Sequence, residues 1–209
     1  MAGSRVRLPD GLYAIAGTIV DVNSLQLTSL VHPAYAGIKK QIFDAFKSMG
    51  SITLPMTTIH VTASGNATLV QEMIVDGVDF NKDHGEGITP LHIAAYMGVF
   101  GCLELLVEDN PGVDVNRTDG FGMTPTHIVA AAPDGDSVGV ECLKELIVCG
   151  NADINRKDGV SGATPAHLAV KAGNTKCLEL LISKGADMTL EDNDGFTPAH
   201  YNAAGESTV

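Results

Sequence analysis

Several groups in this sequence have the types and spacing for chemistry. Gly135-Asp136-Ser137-Val138-Gly139 spells G-x-S-x-G, the nucleophile elbow of serine hydrolases, which would make Ser137 a nucleophile. Seven histidines and four cysteines offer metal ligands or redox chemistry. The segment 190–196, LEDNDGF, has the acidic, glycine-punctuated look of a calcium loop. Each of these chemistries needs a particular set of elements behind it.

The elements are periodic. Thr-Pro stands at Thr89, Thr124, Thr164 and Thr197, at steps of 35, 40 and 33 residues, and two residues after each proline comes a histidine: His92, His127, His167 and His200. Cys-Leu-Glu-Leu-Leu begins ten residues after both His92 and His167, and Cys142 follows His127 by fifteen. Threonine is a good N-cap and proline suits the first helical turn, so each Thr-Pro starts a helix. Gly98 and Gly173 are expected to end the first helix. Ala94, Ala95 and Ala169 let neighbouring helices approach closely. Leu103, Leu105, Leu106, Leu178, Leu180 and Leu181 supply the apolar stripe of the second helix. Asp-, Asn- and Gly-rich segments then form projecting turns. One such unit cannot bury its own apolar face; stacked copies can, which makes an all-α solenoid.

The segments GITPLHIAAYMG, GMTPTHIVAAA, GATPAHLAVKAG and GFTPAHYNAAG resemble the ankyrin repeat family. Four clear repeats run from about 83 to the C-terminus, the last incomplete, with a weaker copy at 57–82 and a degenerate one at 28–56. The resemblance implies an ankyrin-repeat solenoid of helix-turn-helix units with projecting β-hairpin loops over 57–209. Residues 1–56 are expected to form an N-terminal cap with a helix over 34–49.

This register reinterprets the chemistry. His60, His92, His127, His167 and His200 recur once per repeat, and stacked helices ~8–10 Å apart cannot share one ion at ligand bonds of ~2 Å. A structural role is expected instead, with no metal and no cofactor. Cys102, Cys142 and Cys177 recur likewise, too far apart to pair, and all four cysteines, with Cys149, are expected to be buried, reduced thiols of a cytoplasmic protein, with nuclear or cytoskeletal association as variants. Leu190 stands where a calcium loop needs Asp, and Tyr201 where it needs Glu. Ser137 falls in a five-residue expansion expected to be a surface loop between the two helices of its repeat; two further residues in the following hairpin complete the 40-residue step.

The formal net charge is -12. Residues 1–50 carry five basic against three acidic side chains, +2, and the remainder 8 against 22, -14. Such a body repels nucleic acid and favours another protein with a basic surface. No apolar run is long enough for a membrane span. The resemblance implies a non-catalytic protein-interaction module, an adaptor or scaffold, binding through hairpin tips and concave face. By register the contact residues are Lys82, His84 and Glu86; Arg117 and Phe121; Arg156, Lys157 and Val160; Glu191 and Asn193; and, from the inner helices, Tyr96, Met97 and Lys171. Alternatives are a subunit of a cytoskeletal or ciliary assembly and a hydrolase using Ser137. The chain stops within or just after a first helix, which is expected either of a fragment or of an end capped by a partner. Asn81, Asn116 and Asn155 hold the hairpin position hydroxylated in similar repeats, without the preferred upstream Leu.

Overall fold

The structure, a computed structural model, describes residues 6–7, 13–14, 55–56, 58–83, 85–133 and 137–204. For the first three pairs, His60, Ser137 and 202–204 it describes the backbone alone. Apart from 55–56, the expected N-terminal helix and degenerate repeat lie outside these residues. Three two-residue strands, β1 Val6–Arg7, β2 Tyr13–Ala14 and β3 Pro55–Met56, form an antiparallel sheet in that order. The helices are α1 Thr58–Ala63, α2 Ala67–Val75, α3 Pro90–Met97, α4 Phe100–Glu108, α5 Pro125–Ala130, α6 Ser137–Val148, α7 Pro165–Ala172, α8 Thr175–Ser183 and α9 Pro198–Ala204.

Each odd-numbered helix from α3 to α7 starts at Thr-Pro for a local reason. Thr89, Thr124 and Thr164 are N-caps in extended conformation, and proline occupies the first turn, where its missing N–H is no loss. Gly98 and Gly173 close α3 and α7 at φ 65° and 68°, the left-handed geometry glycine adopts without a Cβ penalty. Side-chain amides begin two outer helices: Asn66 accepts from Leu69 N and Asn174 from Cys177 N, both at 3.1 Å.

The helices stack in two layers. α1, α3, α5, α7 and α9 make an inner ladder and α2, α4, α6 and α8 an outer one, with each pair joined across the layers. The core lies between them. Leu103, Leu106, Leu143, Leu146 and Leu181 are fully buried, with Met73 and Phe80 at one end. Ala94 and Ala169 have no accessible surface, consistent with close helix approach. Burying one such leucine contributes roughly 1.5–3 kcal/mol, so the stack is held by sums across repeat junctions. Among the described residues no helix is long and apolar enough to cross a membrane.

The expected β-hairpins differ in detail. Between the layers the chain projects at 76–89, 109–124, 149–164 and 184–197, and no strand is assigned among the described residues of these segments. In three of them a backbone bond closes the turn: Asp119 N to Met123 O, Asp158 N to Ala163 O and Asp192 N to Phe196 O. The Asp carboxylate supplies what a ladder would have. Asp119 Oδ1 accepts from Phe121 N and Met123 N, and Asp158 Oδ1 from the amides of Val160, Ser161 and Gly162.

Candidate protein-binding face

The repeated histidine builds the frame for the face. Thr89 N donates to His92 Nδ1 at 3.2 Å and the Thr89 hydroxyl lies 2.8 Å from it. The same pair of bonds recurs at Thr124/His127, Thr164/His167 and Thr197/His200. Nδ1 is therefore an acceptor, the proton sits on Nε2, and Nε2 donates into the next hairpin: His92 to Met123 O, His127 to Ala163 O and His167 to Phe196 O, at 3.2, 3.3 and 2.9 Å. Burial pushes all three imidazoles below their ordinary pKa, against the raising pull of Asp119 on His92 and Asp158 on His127. They are neutral crosslinks between repeats.

A second set of bonds fastens hairpin to hairpin. Asp114 N donates to Asn81 Oδ1, Asp153 N to Asn116 Oδ1 and Asp187 N to Asn155 Oδ1, at 2.9, 2.7 and 2.8 Å. These asparagine side chains are clamps. Further out, Gly120 N donates to Glu86 O, Gly159 N to Phe121 O and Asn193 N to Ser161 O. The tips approach so closely that a Cβ on Gly122, at φ +77°, would lie 2.1 Å from Gly159 N. The tips thus form one continuous spine, and the backbone positions from which their side chains project are fixed relative to one another.

Most of the expected contact residues stand on this spine. Lys82, Glu86, Arg156, Lys157, Glu191 and Asn193 are exposed, and Arg117 and Phe121 are half-buried. Val160 is 69% exposed, the largest exposure for an apolar residue of the tips. His84 lies outside the described residues. Asn193 is also structural, since its Nδ2 donates to Val160 O at 3.1 Å. On the inner helices, Tyr96 is half-buried, but Met97 is buried with the core and is corrected to a packing residue. It belongs to the buried core cluster, where the apolar side chain gains more than it would from solvent.

Lys171 is half-buried with Nζ 4.0 Å from the centre of the Tyr201 ring. The Tyr201 hydroxyl donates to Asp192, a bond that raises the phenol's pKa to about 12. Burial pushes the Asp192 carboxyl up, but this bond, with the Phe196 and Asp194 amides and Lys171, holds it below its ordinary value. Phe196 packs edge-on against Tyr201 and His200 at 5.9 Å and remains 47% exposed. Sequence reasoning missed Phe196 and Tyr201. The signal was available in Asp-Gly-Phe at 194–196, the tripeptide that also carries Phe121.

The chemistry read from isolated motifs meets different surroundings. A nucleophile elbow needs a strand ahead of the serine. Here helix α5 precedes it, and Ser137 is the first residue of α6. The five extra residues are not all loop: relative to His92 and Cys102, α6 begins three residues early, α5 ends two residues early, and the connector of 131–136 takes the remainder. Cys102, Cys142 and Cys177 are buried, but Cys149 is exposed, a correction. It lies past the last buried leucine of α6, Leu146, where the helix has left the core. Glu108, Glu145 and Cys149 bring one ligand atom each within 4.8 Å of one another. A hydrogen bond with Glu145, then burial and the charges of Glu145 and Glu108, push the Cys149 thiol up to about 11, so the free thiol keeps its proton near neutral pH.

A family model described as ankyrin repeats (3 copies) matches residues 58–158 and again 128–209. Among curated proteins, the potassium channel AKT1 of Arabidopsis thaliana is 33% identical over 207 positions, covering 87% of this chain and 24% of the channel. The nuclear factor NF-kappa-B p105 subunit of Gallus gallus is 31% identical over 152 positions, 72% of this chain and 15% of that protein. Ankyrin repeat and SAM domain-containing protein 6 of Rattus norvegicus is 33% identical over 139 positions, 66% of this chain and 11% of that protein. The chain thus spans no more than about a quarter of the length of these relatives.

Proposed function

Because the chain belongs to the ankyrin repeat family, we propose that it is a non-catalytic adaptor or scaffold that binds another protein along its hairpin tips and inner-helix face. Ankyrin repeats are protein-interaction modules; the role as adaptor and the choice of face are the proposal. The observation that carries it is the tip spine. Backbone bonds from Glu86 O through to Asn193 N hold the four tips in one register, with Val160 exposed beside Arg156 and Lys157. An apolar side chain beside arginine on a rigid scaffold is the composition of an interface anchor. Nothing in the folding of the stack requires Val160 to be apolar.

The buried thiols Cys102, Cys142 and Cys177 support a reducing compartment, cytoplasm or nucleus. The whole-chain charge of -12 favours a basic partner surface. On the structure that charge is divided: Glu104, Glu108, Glu141, Glu145 and Glu179 lie on the outer helices, whereas Arg117, Arg156 and Lys157 lie on the hairpins. A basic partner therefore suits the outer layer better than the middle tips.

The test is affinity capture with partner identification, run in parallel on the full chain, a tip variant Val160→Asp and an outer-helix variant Glu141→Lys. Partners lost with the tip variant and kept with the outer one support the tips. Partners lost only with Glu141→Lys would move the interface to the outer helices and overturn the proposed face.

A further inference from the structure

We propose that the four hairpin tips form a track for an extended peptide with an acidic centre and basic flanks. This rests on the tip-binding reading and adds the chemistry of the occupant. The residue after the clamp position is Lys82, Arg117 and Arg156 in three successive hairpins, and Leu190 in the fourth; Lys157 adds a second cation to the third. Arg117, Arg156 and Lys157 make no ion pair among the described residues. The tip carboxylates beside them are turned inward. Asp119 is buried beneath its own turn, and Asp158 is held by three amides and the Ser161 hydroxyl. Burial pushes the Asp158 carboxyl up, and the hydrogen bonds from Ser161 and Val160 outweigh it, so it stays charged but internally satisfied.

The remaining carboxylates of these two hairpins, Asp109, Asp114 and Asp153, are exposed but precede the clamp asparagine and lie away from the tips; Asp114 and Asp153 each accept a clamp asparagine's own N–H at Oδ1. The outer hairpins differ. At its tip the first presents Asp83 and Glu86 against Lys82, and the fourth presents Glu191 and Asp194 with no cation beyond Lys184 at its base. Along the stack the exposed tips therefore read acidic, basic, acidic.

That alternation selects the occupant. A polyanion of uniform charge, such as a nucleic-acid backbone, gains at the centre and is repelled at both ends. A peptide of opposite alternation is matched throughout. Stacked units lie ~8–10 Å apart and an extended chain rises ~3.3 Å per residue, so one hairpin spans about three residues and four hairpins about ten. The occupant is a segment of about ten residues with acidic side chains at its centre and a basic residue toward each end. Val160, beside the central cations, supplies an apolar contact between them.

The test uses the full chain and two fluorescent synthetic peptides of one composition and zero net charge. One has central glutamates and terminal lysines, the other the reverse. At low salt the first binds at least about fivefold tighter, and the preference shrinks toward unity at ~0.5 M salt, as expected for exposed pairs. Replacing Arg117, Arg156 and Lys157 together by Glu, and separately by Gln, removes the preference while circular dichroism and melting show an intact fold. Equal binding of the two orders, an unchanged preference in both variants, no binding of either peptide, or tighter binding of a single-stranded oligonucleotide overturns the proposal. If order does not matter but partner capture still depends on Val160, the tip-binding reading survives and only the charge track falls.

Discussion

His127 and His200 sit in the same local motif and meet different fates. Both accept from the N–H of the preceding threonine at Nδ1, at 3.1 Å for Thr124 and 2.9 Å for Thr197. His127 has no accessible surface, and its Nε2 reaches the Ala163 carbonyl of the next hairpin. His200 is exposed, with Phe196 against its ring and no hydrogen bond at Nε2 among the described residues. The helix start is therefore a property of four residues. The crosslink is a property of the stack, because it needs a following hairpin at the right height.

The widest gap between the two should appear on truncation. His127→Ala removes a buried acceptor and donor and opens a cavity, an expected loss of about 3 kcal/mol, whereas His200→Ala should cost under ~1 kcal/mol. Urea midpoints measure both, and equal losses would erase the distinction. A pH titration sharpens it. His92, His127 and His167 have pKa values pushed below 6.5 in the fold, so the unfolded chain binds more protons once pH drops beneath that value. Stability is full above 6.5 and falls with acidification, for a fully buried histidine by up to about 1.4 kcal/mol per pH unit. His127→Gln should flatten that slope between about pH 6.5 and 5.5. Asp158 and Asp192, held below 3.8, add their own loss only at lower pH.

Among the clamps the same contrast recurs at smaller scale. Asn116→Ala leaves Asp153 N without its acceptor and should cost about 1 kcal/mol. Thr189, at the equivalent position of the fourth hairpin, bonds only within its own turn to Asp187, and its alanine variant should cost about half as much. Thermal melts of the pair decide this. Thr126 stands in α5 where α3 has Leu91 and α7 has Ala166, and its hydroxyl is buried with no hydrogen-bond partner among the described residues. Thr126→Val should therefore stabilise the stack by up to about 1 kcal/mol; a destabilised variant would mean that the hydroxyl is satisfied. The smallest effect is expected from removing five residues within 133–138, which should leave a cooperative melt with a change under ~1 kcal/mol. Failure to fold would show that the longer α6, not the connector, holds this repeat.

Much of the fold was legible because its signals are local. Thr-Pro-x-His marks a helix start through a threonine cap, a proline first turn and a histidine acceptor three residues on, all within one turn of chain. The repetition at 35, 40 and 33 residues carries the architecture, since a unit that cannot bury its own face must stack. The site was less legible. Met97 looks like a surface residue in the register and is core; Phe196 was passed over and is exposed. Both depend on which side of a helix or turn faces a neighbour, which no single repeat encodes.

The sequence by itself determined where the Thr-Pro helices begin, that the units stack, and that His92, His127 and His167 recur as framework. The tertiary structure decided which Nε2 finds a carbonyl, which asparagine finds a neighbouring hairpin, and how the exposed charges alternate along the tips. The physical reason is range. Caps and turns are satisfied within a few residues of chain, whereas crosslinks, burial and electrostatic pattern exist only once distant segments hold a common spacing.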